Sequence, residues 1–167
     1  DRVVRILSVS DGSVQRELAV ANNVFSVAFH PQQPALLAGD LKGVVSQWDL
    51  KSQQEKPVRT LDASALYQLN HMQECGGVRS ITFDTDGTQV LCGGQKQPGG
   101  GFAKGAPAVL LFDWKTGKSS EFVAGASDEG FIYDAQYHPA GFFMGCASAF
   151  PGKGKLFFWQ PGDAKAF

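Results

Sequence analysis

Residues 24–50 read VFSVAFHPQQPALLAGDLKGVVSQWDL, and the fold is decided by how often that stretch returns. It recurs in outline from Val78 as VRSITFDTDGTQVLCGGQ and resumes after a long loop as AVLLFDWKTG (108–117). It recurs again from Ile132 as IYDAQYHPAGFFMGCAS, followed by KLFFWQPG (155–162). A fixed internal period is the signature of a repeat architecture and outranks any local reading. Phe29, Phe83 and Tyr137 are evenly spaced along the chain, and Ala38, Cys92 and Cys146 repeat at the same interval. Equal spacing at both places predicts one register running through two strands of each unit.

Within each unit, runs of four to seven residues rich in Val, Ile, Phe, Leu and Tyr are separated by turn residues, which predicts short β-strands. No long stretch keeps an apolar i, i+3, i+4 pattern free of Gly or Pro, so no helix is predicted. The turns have a physical basis. His30-Pro31, Asp84-Thr85-Asp86-Gly87 and His138-Pro139-Ala140-Gly141 follow the first strand of their units, where Pro presets φ and Gly supplies a positive φ. Lys115-Thr116-Gly117 and Ser10-Asp11-Gly12 do the same after a third strand. Spacing elsewhere is uneven: the interval from Trp48 to Phe112 is longer than that between Phe29 and Phe83, and the interval from Phe112 to Phe158 is shorter. Insertions at Lys51–Glu74 and Gln95–Pro107 account for the difference, and insertions in repeats fall in loops.

Three or more short antiparallel strands per unit, with an aromatic-Asp pair closing the third, point to β-propeller blades. The sequence resembles the WD-repeat propeller family. SVAFHP with Trp48-Asp49-Leu50, SITFDTDG with Phe112-Asp113-Trp114 and Thr116-Gly117, and DAQYHPAG with Phe158-Trp159 carry the resemblance. The opening VVRILSVSDGSVQREL is similar to the third and fourth strands of a preceding blade. The chain departs from the family in lacking its Gly-His dipeptide before the first strand, and Lys42 stands where the family usually places an Asp. The expected organisation is a partial blade at 1–20, a blade at 21–62, an interblade loop at 63–75, a blade at 76–124 with a long inserted loop at 95–107, and at 125–167 a blade lacking its last strand.

The expected fold is thus an all-β propeller segment of four-stranded antiparallel blades. It offers 13 strands by this reading, against about 16 for the smallest closed ring. An open arc leaves the apolar faces of its terminal blades uncovered. The missing blades are expected either from the rest of a longer chain, of which this is roughly half, or from a second copy.

Composition narrows the function. Fifteen basic and 16 acidic side chains give a net charge of −1, with no basic footprint for nucleic acid. No apolar run approaches the roughly 18 residues of a membrane span, and no signal peptide is visible, which is compatible with the cytoplasm and leaves the compartment open. Three cysteines form no CxxC, so neither a disulfide framework nor a zinc ribbon is expected. Cys92 and Cys146 read as small core residues at the position of Ala38, and His71, Glu74 and Cys75 as a solvated loop. No cofactor, metal or catalytic residue is predicted.

What remains is recognition. The resemblance implies one face built from the loops that enter the first strand and the loops that join the second strand to the third. The partner-binding residues expected there are Asp40, Lys42, Arg79, Gln95, Phe102, Lys104, Glu129, Phe150 and Lys153. Loops on a rigid scaffold are the usual place for binding groups, and large aromatic or Arg side chains anchor interfaces most often. The expected function is a non-catalytic protein-interaction scaffold. The alternatives are a small-molecule or metal-dependent propeller enzyme and a structural subunit of a larger assembly.

Overall fold

The computed structural model describes residues 1–70, 72–96, 105–126, 128–148, 152–163 and 166. Every regular element is extended apart from one 3-10 turn at Ser64–Leu66. The strands are β1 (Val3–Leu7) and β2 (Val14–Ala19), then β3 (Val24–Phe29), β4 (Ala35–Asp40), β5 (Val44–Asp49) and β6 (Arg59–Asp62). They continue as β7 (Tyr67–Asn70), β8 (Gln73–Gly76), β9 (Ser80–Phe83), β10 (Gln89–Lys96), β11 (Ala106–Asp113) and β12 (Ser119–Val123). The last are β13 (Phe131–His138), β14 (Phe142–Ser148) and β15 (Lys155–Trp159). Antiparallel pairing sorts them into a β1-β2 pair, two four-stranded sheets in sequence order (β3 to β6 and β9 to β12), a three-stranded sheet β13-β14-β15, and a β7-β8 hairpin.

That hairpin is a difference from the sequence reading, which expected an interblade loop at 63–75. Its turn carries no Gly or Pro; Met72 instead takes φ 62°, among the described residues the one positive φ outside glycine. The turn chemistry that normally announces a hairpin is therefore absent. His71 lies outside the described residues.

The sheets stack as blades, each pressing one face on the next. The face of the first full blade formed by Ala35, Leu37 and Val45 packs on Ile81, Phe83, Val90, Cys92 and Phe112 of the second. The second meets the third through Leu91, Val109, Ile132, Phe143 and Trp159. The β1-β2 pair covers the other side of the first blade, with Val4 and Leu18 against Leu36, Ala38 and Trp48. Close approach depends on two glycines. A Cβ on Gly39 would stand 2.5 Å from Val78, and one on Gly93 would stand 2.7 Å from Ile132. The missing side chain lets a β-branched residue at the head of each inner strand seat on the blade before it. Serine reinforces both joints: Ser26 Oγ donates to the Val78 carbonyl at 2.9 Å, and Ser80 Oγ accepts from Ala135 N at 2.9 Å.

Register corrects one sequence expectation. Phe29 pairs with Leu36 and Phe83 with Val90, seven residues on, but Tyr137 pairs with Phe143, only six on. The third hairpin is one residue shorter, and a one-residue slip sends every later side chain to the opposite face. The counterpart of Ala38 and Cys92 is thus Gly145, and Cys146 is half-buried on the outward face instead of lying in the core. By the same slip, the aromatic that closes the third strand against the preceding blade is Trp48, then Phe112, then Trp159, and not Phe158.

Turns after the inner strands are capped by whichever acceptor stands at the equivalent position. His30 Nδ1 accepts from Gln32 N and Gln33 N at 3.0 Å, Asp84 Oδ1 accepts from Gln89 N at 3.0 Å, and His138 Nδ1 accepts from Ala140 N at 3.1 Å. His30 is buried between the rings of Phe83 and Trp114, 4.9 and 4.8 Å away, and its Nε2–H donates to the Gly87 carbonyl at 3.0 Å. Gly87 has φ 68°, and a Cβ there would lie 2.2 Å from the His30 ring. Positive φ and close packing together exclude a side chain, so Gly87→Ala is expected to cost on the order of 2 kcal/mol or more in urea unfolding.

Burial holds the pKa of His30 below its ordinary 6.5, outweighing the raising effects of the Gly87 bond and Asp84. Protonation would also place a hydrogen on Nδ1, facing two N–H donors. The unfolded chain takes up the proton first as pH falls, so the stability held by neutral His30 is full above about 6.5. It declines as pH drops toward the lower folded value. Urea midpoints measured from pH 7.5 to 5.5 should fall in the wild type, and His30→Gln should flatten that decline.

Candidate functional site

Main-chain bonds tie the segments entering β3 and β9 to the end of β4 and the β4-β5 turn, and the segment entering β13 to Gly105 just before β11. Val78 N donates to the Asp40 carbonyl at 3.0 Å, Leu41 N to Asn23 O at 2.8 Å, and Gly130 N to Gly105 O at 2.7 Å. The described members of the expected binding set lie in or beside these segments or, for Lys153, between β14 and β15, in unequal roles. Lys42 is exposed and pairs with Glu74 at 3.8 Å. Glu129 forms an ion pair with Lys155 and accepts from Ala126 N at 2.9 Å. Lys153 is exposed. Phe102, Lys104 and Phe150 lie outside the described residues.

Two members require correction. Asp40 is fully buried: its Oδ1 accepts from Lys42 N and Val44 N at 2.9 Å, and its Oδ2 from Asn22 Nδ2 at 2.8 Å. It shapes the β4-β5 turn. Gln95 is buried as well, with Oε1 unpartnered among the described residues. Neither offers its side chain to a partner, because strand positions close to a loop can still be covered by the neighbouring blade.

Arg79 stands apart. Its guanidinium lies over the Phe25 ring, with Cζ 3.9 Å from the centroid, and 5.2 Å from the centroid of Phe131. Nε donates to the Gly76 carbonyl at 2.9 Å. Burial between the rings pushes its pKa down from the ordinary value, and only Tyr133 and Cys75 oppose that. Phe131 in turn lies 4.2 Å from Tyr133. The two flanking phenylalanines were not among the expected site residues. A signal for Phe25 existed, since Phe25, Arg79 and Tyr133 follow one another at the same interval as Phe29, Phe83 and Tyr137 and precede the equivalent Ser26, Ser80 and Asp134. Phe131 had none.

The terminal blades supply a second kind of surface. Phe29 is 63% exposed, whereas its equivalent Phe83 is 9% exposed beneath the preceding blade; Val27 and Ile81 differ in the same way. At the other end Leu156 is 64% exposed, while the equivalents Val45 and Val109 are at 0%. Leu156, Met144 and Cys146 rim a hollow of about 210 Å³ on the outward side of the last sheet. On the opposite face of that sheet Trp159 Nε1 is buried without an acceptor among the described residues, whereas Trp48 Nε1 donates to Glu55 O at 3.1 Å in the segment leading to β6.

The cysteines differ in environment. Cys92 is sealed in the core, and burial pushes its thiol up to about 12, so it stays protonated and unreactive. Cys75 and Cys146 are half-buried. Under native conditions iodoacetamide should label Cys75 and Cys146 and spare Cys92, as read by peptide mass mapping; labelling of Cys92 at an equal rate would contradict the packing. No group of three or more His, Cys, Asp or Glu is placed to hold a metal among the described residues.

Comparison with known proteins fits this geometry. The family model described as "WD domain, G-beta repeat" matches residues 12–49. Those residues span β2 to β5 and include Trp48-Asp49. No curated protein matches the sequence. Among solved structures, Kuenenia stuttgartiensis hydrazine synthase is similar over 99% of this chain and 42% of its own, with a TM-score of 0.74 at 13% identity. This chain therefore spans less than half of that one. It is one of 635 matching chains, and at such identity the likeness fixes the fold and says nothing of the activity.

Proposed function

We propose that this chain, a WD-like propeller arc, is a protein-interaction scaffold whose loop face receives a partner and whose terminal faces are covered by further propeller blades. The WD repeat supports protein interaction in general terms. The observation that carries the reading is the contrast between repeat-equivalent positions: Phe29 against Phe83, and Leu156 against Val45 and Val109. Fully burying one such side chain stabilises a fold by about 1.5–3 kcal/mol, so each uncovered face is a standing drive for association.

The chain itself indicates the occupant. Ile81 and Phe83 are covered by Ala28, Ala35 and Leu37 of the neighbouring blade, so the same positions in the first blade, Val27 and Phe29, suit a sheet with small residues on its inner strand. Such blades belong either to a longer polypeptide or to a second copy. No arrangement of described side chains favours the catalytic alternative.

Light scattering tests the reading. The wild-type chain should exceed 17.9 kDa in mass as concentration rises, and Leu156→Asp should reduce that excess. Because Leu156 is exposed, the substitution should change stability by less than about 1 kcal/mol. Val109→Asp, which buries an unpaired charge, should cost about 3 kcal/mol or more. A monodisperse, stable 17.9 kDa wild-type monomer at every concentration would overturn the proposal.

A further inference from the structure

The guanidinium of Arg79 is half-buried against two aromatic rings and a main-chain carbonyl. Its Cζ lies over the rings of Phe25 and Phe131, and the Gly76 carbonyl takes the Nε hydrogen. With Nε engaged, the donors that remain are the hydrogens of Nη1 and Nη2 at the tip of the fork. No carboxylate of a described residue pairs with them. Nearby acids have other partners: Glu74 is with Lys42, Glu129 with Lys155, and Asp134 accepts from Ser80 Oγ at 3.1 Å and Gln136 Nε2 at 3.3 Å. Among the described residues the site is thus a cation without a counter-ion, flanked by partly exposed aromatic surface on Phe25 and Tyr133.

We infer that Arg79 is a receptor for the carboxylate of an Asp or Glu side chain flanked by apolar residues on a partner polypeptide. A guanidinium fork matches a carboxylate with two parallel N–H···O bonds, and charge-assisted bonds of this kind are about twice as strong as neutral ones. Pre-orientation between the rings removes much of the rotamer entropy that an arginine otherwise loses on binding. The half-desolvated setting strengthens the pairing relative to water. Apolar neighbours of the acid cover Phe25 and Tyr133, which excludes water from the rim. This inference rests on the loop face being an interaction surface and names the chemistry that one point of it selects.

The test uses the full chain and a capped pentapeptide, acetyl-AFEFA-amide, with two controls. One is the neutral twin AFQFA, capped at both ends; the other is acetyl-AFQFA with a free C-terminal carboxylate. Binding is followed by the ¹H–¹⁵N signals of the Arg79 Nε–H group and the loop-face backbone. The Glu peptide should bind about tenfold more tightly than the capped Gln peptide and shift the Arg79 signal. Arg79→Lys, which keeps the charge and loses the fork, should abolish that preference, and Lys118→Ala, an exposed lysine in the turn between β11 and β12, should retain it. Backbone spectra and melting temperature establish that each variant is folded. Equal binding of the two capped peptides, an unchanged preference in Arg79→Lys, or no saturable binding of the Glu peptide overturns the inference. So does a preference for the free terminus over the Glu side chain. If the loop-face backbone signals move equally with both capped peptides, the interaction surface stands and only the carboxylate site fails.

Discussion

Each blade of this protein is seated by a β-branched residue pressed onto a glycine of the blade before it, Val78 on Gly39 and Ile132 on Gly93. Everything else in the stack is conditional on that approach. With the inner strands that close, Leu37 and Val45 share one core with Ile81 and Phe83, and Leu91 and Val109 share another with Ile132 and Phe143. The serine bonds at Ser26 and Ser80 then satisfy polar groups that the close packing would otherwise strand. A methyl group at either glycine would push the sheets apart, and a void between them would forfeit dispersion contacts along the whole joint.

The same geometry explains why the ends of the arc are its reactive parts. At Cys146, the position paired across from Asp134 as Gly39 is from Ser26 and Gly93 from Ser80, the glycine is replaced. The seat for another β-branched residue is filled there, and Leu156 and Met144 stand uncovered beside it. Repeat proteins distribute stability through nearest-neighbour interfaces, so a terminal blade has one interface where an inner blade has two. In the middle of the arc, by contrast, crowding creates the Arg79 site. Repeat-equivalent positions at three successive inner strands bring Phe25, Arg79 and Tyr133 to equivalent heights, and Phe131, at the start of β13, adds a second ring to the arginine.

Much of this was legible beforehand. The short β-rich runs, the turn residues and the constant spacing of Phe29, Phe83 and Tyr137 identified blades, because strand period and turn chemistry are local properties of a few neighbouring side chains. Lys42, Arg79 and Glu129 were expected in loops for the same reason, since the repeat locates those loops. What was misread had a different cause. Asp40 and Gln95 are covered by other parts of the chain, and no local pattern states which loop positions a neighbouring blade will bury. Cys146 and Phe158 were assigned to the wrong face because a single-residue deletion in the turn after Tyr137 is invisible to a count that compares whole units.

The sequence by itself determined that the chain is a stack of antiparallel blades, since alternation, β-branched content and glycine-containing turns permit little else. It also determined that the stack is short of a ring. Tertiary structure alone decided which positions are faces and which are cores: Phe29 and Phe83 occupy the same place in their blades, yet one is exposed and the other is covered. It alone placed two aromatic rings on Arg79. The physical reason is that burial and charge pairing belong to the neighbours a residue acquires from distant parts of the chain, which repeat spacing can align but cannot fill.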